Sequence, residues 1–379
     1  MRLKVMFVIE NLAIGGAERV FANLLNCIDR ERFDPVLVCI NSAASGVTYA
    51  IPEGVRTVNL NVDKKMALFP LIRAIRCEKP HIVFSTLAPV NFLCIISKLL
   101  LSGLGTRFVI RETTIKSISI KGTKSNPFVR FLYAAMVRTL YPFADSIVAL
   151  SQGAKRDLID NFGVAPHKIS VIYNPIDIEA VAEASTELID DLPEWQGSFK
   201  IVSVGSLVRS KGHIYLLEAM KELVHTHKRE VRLVLVGTGA LRDELVKKVE
   251  DFGLKDHVVF LGYRKNPFKY MRHCDLFVLP SLWEGFGNVL VEAMACGVPV
   301  ISTLCESGPR EIIENSVSGL LVEPGSSKEL LKAIKAIMDN PTYARELAKN
   351  ARVRAAAFGA SAITKQYEEH LIKIFEEGR

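Results

Sequence analysis

Short apolar runs without polar alternation recur through this chain, each followed by a stretch of helical spacing, and the pattern begins again near the middle. The first series reads as strands at Leu3–Ile9, Pro35–Ile40, Val55–Leu60, His81–Ser85, Arg107–Arg111, Ser146–Ser151 and Lys168–Tyr173. The second runs through Phe199–Val204, Arg232–Val236, His257–Leu261, Leu276–Pro280 and Pro299–Ser302. Strands that are apolar along their whole length are buried on both faces, which calls for a parallel sheet with helices on each side. Between the series, 187–198 is acidic and then irregular, with Pro193 and Gly197, and reads as a linker. The expectation is an α/β chain of two doubly wound, Rossmann-like domains, 1–186 and 199–358, facing across a cleft. In such sheets ligands bind beyond the C-terminal strand ends. The closing helical stretch from Tyr343 breaks near Phe358-Gly359-Ala360-Ser361.

At 379 residues, two domains are also what length alone suggests. The seven cysteines include no Cys-x-x-Cys pair and lie mostly in apolar runs, which points to buried thiols in a reducing compartment rather than a metal site. The apolar start runs straight into Glu10-Asn11 and is too short for a signal peptide, and Phe92–Leu104, interrupted by Lys98, is too short to span a bilayer. A cytoplasmic protein is therefore expected. Charge is uneven. Residues 1–180 hold 22 Lys+Arg against 14 Asp+Glu (+8), and the rest 26 against 27 (−1). From Lys98 to Arg138 there are eight basic residues, Lys121 and Lys124 among them, and one acid, Glu112. The first half should face something anionic. Nucleic acid is disfavoured, because no basic motif is interleaved with aromatics.

Three motifs carry candidate chemistry. Between the first strand and first helix lies Glu10-Asn-Leu-Ala-Ile-Gly-Gly-Ala-Glu-Arg19. Its glycines, Gly15 and Gly16, permit close backbone approach to a ligand at a helix start that favours negative charge. A tight strand–helix turn is the alternative reading of them. The dinucleotide fingerprint Gly-x-Gly-x-x-Gly is absent, which disfavours a nicotinamide dehydrogenase. In the second series Val204-Gly-Ser-Leu-Val-Arg-Ser-Lys-Gly212 places Arg209 and Lys211 at a strand end, where cations can neutralise a diphosphate. The third motif, Ser281 to Val300, sets Glu284 and Glu292 eight residues apart around a Gly-Phe-Gly turn that opens a helix. If both were helical they would stand roughly 12 Å apart. A retaining glycosidase pair needs about 5–5.5 Å, so the two should hold different parts of one ligand.

Together with Asn174-Pro-Ile-Asp177, these motifs resemble the retaining glycosyltransferases of family 4, which have the two-domain GT-B fold. The resemblance spans essentially the whole chain, and Glu-x7-Glu followed by Ala-Met-Ala-Cys-Gly-Val-Pro-Val-Ile is its most specific part. It implies that Glu284 contacts the donor sugar and Glu292 the ribose. Amides at Phe286, Gly287 and Asn288 would reach sugar and phosphates, and Lys211, aided by amides near Gly16, would neutralise the diphosphate. Tyr263 and Arg264 would lie beside the base. Two positions depart from the pattern. Ser206 stands where many members carry Arg, leaving Arg209 to supply that charge. The first-domain loop that often has a His reads Ile110-Arg-Glu-Thr-Thr114, which makes Arg111 and Glu112, with Arg19, acceptor-side candidates.

The resemblance further implies transfer from a nucleotide-sugar, a UDP-sugar being the first choice, with retention of configuration. The acceptor would be a glycan or a polyprenyl-diphosphate-linked saccharide, bound by the first domain, and the second domain would bind the donor. Bacterial relatives with similar Val83-Phe-Ser-Thr-Leu and Arg-Glu-Thr stretches act in surface-polysaccharide or glycan assembly. Relatives also send a final helix, here 359–379, back onto the first domain. With no carboxylate nucleophile evident, departure and attack on one face is expected, the leaving diphosphate accepting the proton. No Asp-x-Asp occurs, so no metal or other cofactor is expected. Within the fold an epimerase or a phosphorylase is the alternative, and a non-catalytic carbohydrate- or lipid-binding protein is a third reading. Pro127 to Phe143 mixes Phe128, Phe131, Leu132, Met136, Val137 and Leu140 with Arg130 and Arg138. Two readings fit: a face for an anionic membrane surface at the inner leaflet, or a core helix with a basic outer side.

Overall fold

The structure is a computed structural model. It describes all residues except 1, 14, 42–48, 102, 123–125, 190, 193, 194, 196 and 379, and the side chains of 121 and 122. Pro193 of the expected linker, and Lys124 with the Lys121 side chain, thus lie outside the described residues.

The chain divides into two compact units, 1–175 with 360–379, and 176–359. The first is built on a seven-stranded parallel sheet ordered β3-β2-β1-β4-β5-β6-β7. Its strands are β1 (Leu3–Ile9), β2 (Phe33–Cys39), β3 (Arg56–Asn59), β4 (Ile82–Thr86), β5 (Arg107–Glu112), β6 (Ser146–Ala149) and β7 (Ile169–Val171). Helices α1 (Gly16–Cys27), α2 (Leu68–Glu78), α3 (Ala88–Leu100), α4 (Lys116–Gly122), α5 (Pro127–Leu140) and α6 (Gln152–Phe162) connect them. Alternate β1 residues serve opposite faces. Val5, Phe7 and Ile9 join one core with Phe21, Leu25 and Phe84, while Met6 and Val8 join another with Leu71, Ile75 and Cys94.

The second unit starts at Ile176, earlier than the expected boundary at 186, because α7 (Ile178–Ala184) packs within it. Its six-stranded parallel sheet runs β10-β9-β8-β11-β12-β13. The strands are β8 (Phe199–Val204), β9 (Val231–Val236), β10 (Val258–Gly262), β11 (Leu276–Leu279), β12 (Val300–Thr303) and β13 (Leu320–Val322). The helices are α8 (His213–Lys221), α9 (Arg242–Asp251), α10 (Phe268–His273), α11 (Asn288–Ala295), α12 (Pro309–Ile312), α13 (Ser327–Met338) and α14 (Pro341–Ala355). Strand β13 was not anticipated. It is three residues long, and only its place beside β12 distinguishes Leu320-Leu321-Val322 from an apolar loop. The last helix, α15 (Ala360–Glu376), returns to the first unit, inserting Ile363, Tyr367, Leu371 and Ile374 into the core around Phe7 and Phe84.

In each sheet the strand order reverses beside the first strand, between β1 and β4 and again between β8 and β11. Loops leaving the C-terminal ends of those pairs diverge and leave a crevice. The loops after β8 and β11 carry Lys211 and Glu284.

Helix α5 departs from ordinary packing. Asn126 caps it by accepting from the Phe128 N–H, and Pro127 opens its first turn. Yet Val137 is its only buried residue, while Phe128 is 69% exposed, Phe131 68% and Leu132 50%. A core helix would turn that side inward, so the core reading of this segment does not hold.

Candidate functional site

In the second unit the loops after β8 and β11 are bonded together. The Leu282 N–H donates to the Ser210 carbonyl at 2.7 Å. A side chain at Gly212 would meet the Pro280 carbonyl, so a bulkier residue there would push the loops apart. Lys211 is thereby set over Glu284, donating its Nζ to Oε1 at 2.5 Å. The same oxygen accepts from Ser281 Oγ at 2.6 Å. Glu284 is buried, with only 8% of its surface exposed, and this pairing is what makes the burial tolerable. Next to Lys211, His213 is also buried, and burial, then the Lys211 charge, push its pKa down to about 4. It stays neutral and adds no positive charge to those of Lys211 and Arg209. Arg209, in the same turn, is exposed.

Glu284 precedes α11 by four residues, so the 12 Å helical estimate applies to only half of the Glu284–Glu292 interval. Gly287 caps α11 in the left-handed region at φ 98°, and Asn288 begins the first turn, whose N–H groups have no carbonyls ahead of them in the helix. Glu292 lies one turn further on and is buried. The buried Phe286 ring meets Phe358 edge-on at 5.6 Å. An anion at this helix start would meet aligned amides and the Lys211 ammonium together.

Several supporting residues were missed by sequence reasoning. Ser307 Oγ donates to the Gly285 carbonyl at 2.8 Å, and Thr303 Oγ1 to the Ser281 carbonyl at 2.5 Å. Gly308 lies so close to the turn that an added Cβ would sit 2.1 Å from the Phe286 carbonyl oxygen, and its φ is +74°. Gly308→Ala is therefore expected to cost about 1–3 kcal/mol, measurable as a lowered thermal midpoint. An unchanged midpoint would show that the turn can yield. The only sequence signal was the Ser-Gly-Pro punctuation at 307–309.

In the first unit, Gly16 opens α1 and Gly15 caps it in extended geometry, φ −169°. No left-handed backbone requires the glycine here, and a Cβ on Gly15 would lie 2.2 Å from Glu18 Oε2, the end of a flexible side chain that can swing aside. Glu18 curls back over its own helix start and accepts from its own N–H and that of Ala17, while burial, more than any other cause, raises its pKa. It was not among the predicted residues, although a Glu at the third helical position carries that capping signal. Arg19 is half-buried in the same turn.

Arg111 and Glu112 lie inside the unit. Arg111 is 1% exposed and donates Nε to Tyr367 Oη at 3.1 Å and Nη1 to Thr86 Oγ1 at 3.2 Å, with Asn174 as a third partner. Glu112 is 0% exposed and accepts from Tyr141 Oη at 2.7 Å and from Lys116 Nζ at 2.8 Å. Burial and the Glu112 charge raise the Tyr141 pKa well above its usual value. These two residues join β5 to α15, α4 and the end of α5. The geometry gives them a structural task in place of the acceptor contacts expected for them.

Tyr263 and Arg264 lie in the β10–α10 loop. Tyr263 is half exposed, and Arg264 is turned onto Asp191 and Tyr270.

The family model for glycosyltransferase family 4 matches residues 14–180, and that for group 1 glycosyl transferases matches 184–354. A Campylobacter jejuni N-acetylgalactosamine-N,N'-diacetylbacillosaminyl-diphospho-undecaprenol 4-alpha-N-acetylgalactosaminyltransferase is 31% identical, over 96% of this chain and 98% of that one. An Escherichia coli UDP-Gal:alpha-D-GlcNAc-diphosphoundecaprenol alpha-1,3-galactosyltransferase is 27% identical, over 89% and 88%. Among solved structures, Anabaena Alr3699/HepE in complex with UDP-glucose superposes with a TM-score of 0.80 at 23% identity, covering 98% of this chain and all of that one.

Proposed function

This chain belongs to the family 4 glycosyltransferases, and from that premise we propose that it moves a sugar from a UDP-sugar to a hydroxyl of a polyprenyl-diphosphate-linked saccharide. It is a GT-B-type glycosyltransferase of glycan assembly. The observation that carries the donor reading is the Lys211–Glu284 pair, placed at the β8/β11 crevice beside the start of α11. On donor binding the pair exchanges partners. Glu284 accepts from a sugar hydroxyl, and Lys211 turns to the diphosphate, whose charge grows as the glycosidic bond breaks. The α11 amides share that charge, and Glu292 holds the ribose. Transfer proceeds with retention, the departing diphosphate taking the acceptor proton, and needs no metal, since Lys211 and the helix start supply the positive field. The relatives' lipid-linked acceptors support the acceptor class. Among the described residues no helix is long and apolar enough to cross a membrane. The exposed α5 face supports peripheral attachment to the inner leaflet.

A panel of UDP- and GDP-sugars, screened by thermal shift, tests the donor. A bound donor at 100 times its Kd should add about 2.7 kcal/mol of stability, and no shift with any UDP-sugar would overturn the reading. Transfer should survive EDTA and give the donor's anomeric configuration. Loss in EDTA with recovery in manganese, or an inverted product, would refute the respective step.

A further inference from the structure

Ala184, Leu188 and Asp191, at the end of α7 and beyond it, are bonded to the β10–α10 loop and the first turn of α10. Asn266 donates Nδ2 to the Ala184 carbonyl at 2.7 Å, and Lys269 Nζ donates to that of Leu188 at 3.2 Å. Asp191 then accepts from Tyr270 Oη at 2.9 Å and from Arg264 Nε at 3.0 Å. Arg264 closes the ring by donating Nε to Tyr270 Oη at 3.2 Å and Nη1 to the carbonyls of Leu261 and Tyr263 at 2.5 and 3.3 Å. Ala184, Asp191, Arg264, Asn266, Lys269 and Tyr270 line an open pocket of about 510 Å³. Partial burial opposes the Asp191 charge, but the Tyr270 hydroxyl and the Arg264 guanidinium hold its pKa below the usual carboxylate value.

The consequence concerns the loop. Its root is fixed where the Gly237 N–H donates to the Gly262 carbonyl at 2.8 Å, and its far end where Asn266 Oδ1 accepts from the Phe268 N–H at 3.1 Å. Between those points the backbone is shaped by Arg264 gripping the carbonyls on either side of Gly262. Arg264 spends Nε and Nη1 on Asp191, Tyr270 and its own loop. Tyr263, beside it, presents an exposed ring. Without Asp191, Arg264 loses the anion that orients it, and with it the two carbonyl contacts.

We infer that Asp191 is a positioning residue for nucleotide recognition: acting through Arg264, it holds the loop 262–266 so that the Tyr263 ring and the loop backbone receive the donor's base. The inference rests on the donor reading above. It predicts that the segment after α7 and the base subsite are one mechanical unit, so substitutions at Asp191 act on the base and not on the diphosphate.

Calorimetric titration with UDP, and with inorganic diphosphate as a probe lacking the base, tests it on the full chain. Asp191→Ala should weaken UDP about 5–20-fold, a part of what stacking of a base on an aromatic ring contributes. Inorganic diphosphate should bind within about twofold of wild type, because only the base loop has moved. In turnover the donor KM should rise with kcat retained. Tyr270→Phe keeps the buried ring and removes only the hydroxyl, so it should show a smaller loss of the same kind even if Asp191→Ala folds poorly. UDP affinity unchanged in both variants, or UDP and diphosphate weakened together, would overturn the inference. Failure of the wild-type chain to bind UDP would overturn the donor reading, and this inference with it.

Discussion

Replacing Lys211 by alanine is expected to lower kcat for sugar transfer by about 10²–10³-fold, the usual effect of deleting one preorganised donor to a developing oxyanion. The donor KM should move far less, because the leaving diphosphate carries more charge in the transition state than in the bound donor, and interactions that strengthen along that path fall on kcat. The substitution also leaves Glu284 without its cation. Breaking a buried pair costs about 3–5 kcal/mol, and the lower end applies here because the Lys211 side chain is 21% exposed. Glu284→Gln in the same chain should therefore recover part of the lost stability but none of the lost kcat. Steady-state kinetics with thermal melts on the two single variants and the double variant separate the two effects. A Lys211→Ala enzyme within tenfold of wild-type kcat would remove Lys211 from the mechanism.

That pair also shows what could be read from the chain and what could not. Lys211 and Glu284 were legible because each follows a mostly apolar strand, and a doubly wound sheet brings the ends of non-consecutive strands together at its reversal point. Their direct contact was not legible. It depends on the Leu282–Ser210 bond and on the room left by Gly212, two facts of packing between segments some seventy residues apart. Ser281, Ser307 and Gly308 escaped for the same reason, since small residues in loops carry no periodic signal. Arg111 and Glu112 show the opposite failure. Charged residues at a strand end look like ligand contacts, yet Tyr367, Thr86 and Tyr141, from distant segments, and Lys116, four residues on from Glu112, make them interior braces. The boundary near residue 176 was hidden by α7, which follows the last strand of the first series in sequence and packs with the second unit in space.

Glutamate at both Phe128 and Phe131 is expected to reduce binding to phosphatidylglycerol-containing vesicles by about 10²-fold or more while leaving the fold intact. Both rings stand more than two-thirds exposed, so the exchange opens no cavity and buries no charge. The loss has two parts. Fully burying a Phe side chain contributes roughly 1.5–3 kcal/mol, and even half of that for each ring exceeds a tenfold change in partitioning. The added carboxylates then meet an anionic surface in a stretch where Glu112, the one acid between Lys98 and Arg138, is already buried against Lys116. Arg138, on the next turns of α5, is tied to the Asn161 carbonyl at 3.0 Å and keeps its charge at the helix surface. Salt separates the contributions. Raising ionic strength should weaken wild-type binding through the basic residues and leave the share that comes from the rings. Transfer to a water-soluble acceptor analogue should be unaltered in the double variant, and transfer to an acceptor embedded in vesicles should fall with binding. Equal sedimentation of variant and wild type with vesicles, or a wild-type chain that ignores them at low salt, would mean that α5 presents its apolar side to something other than lipid.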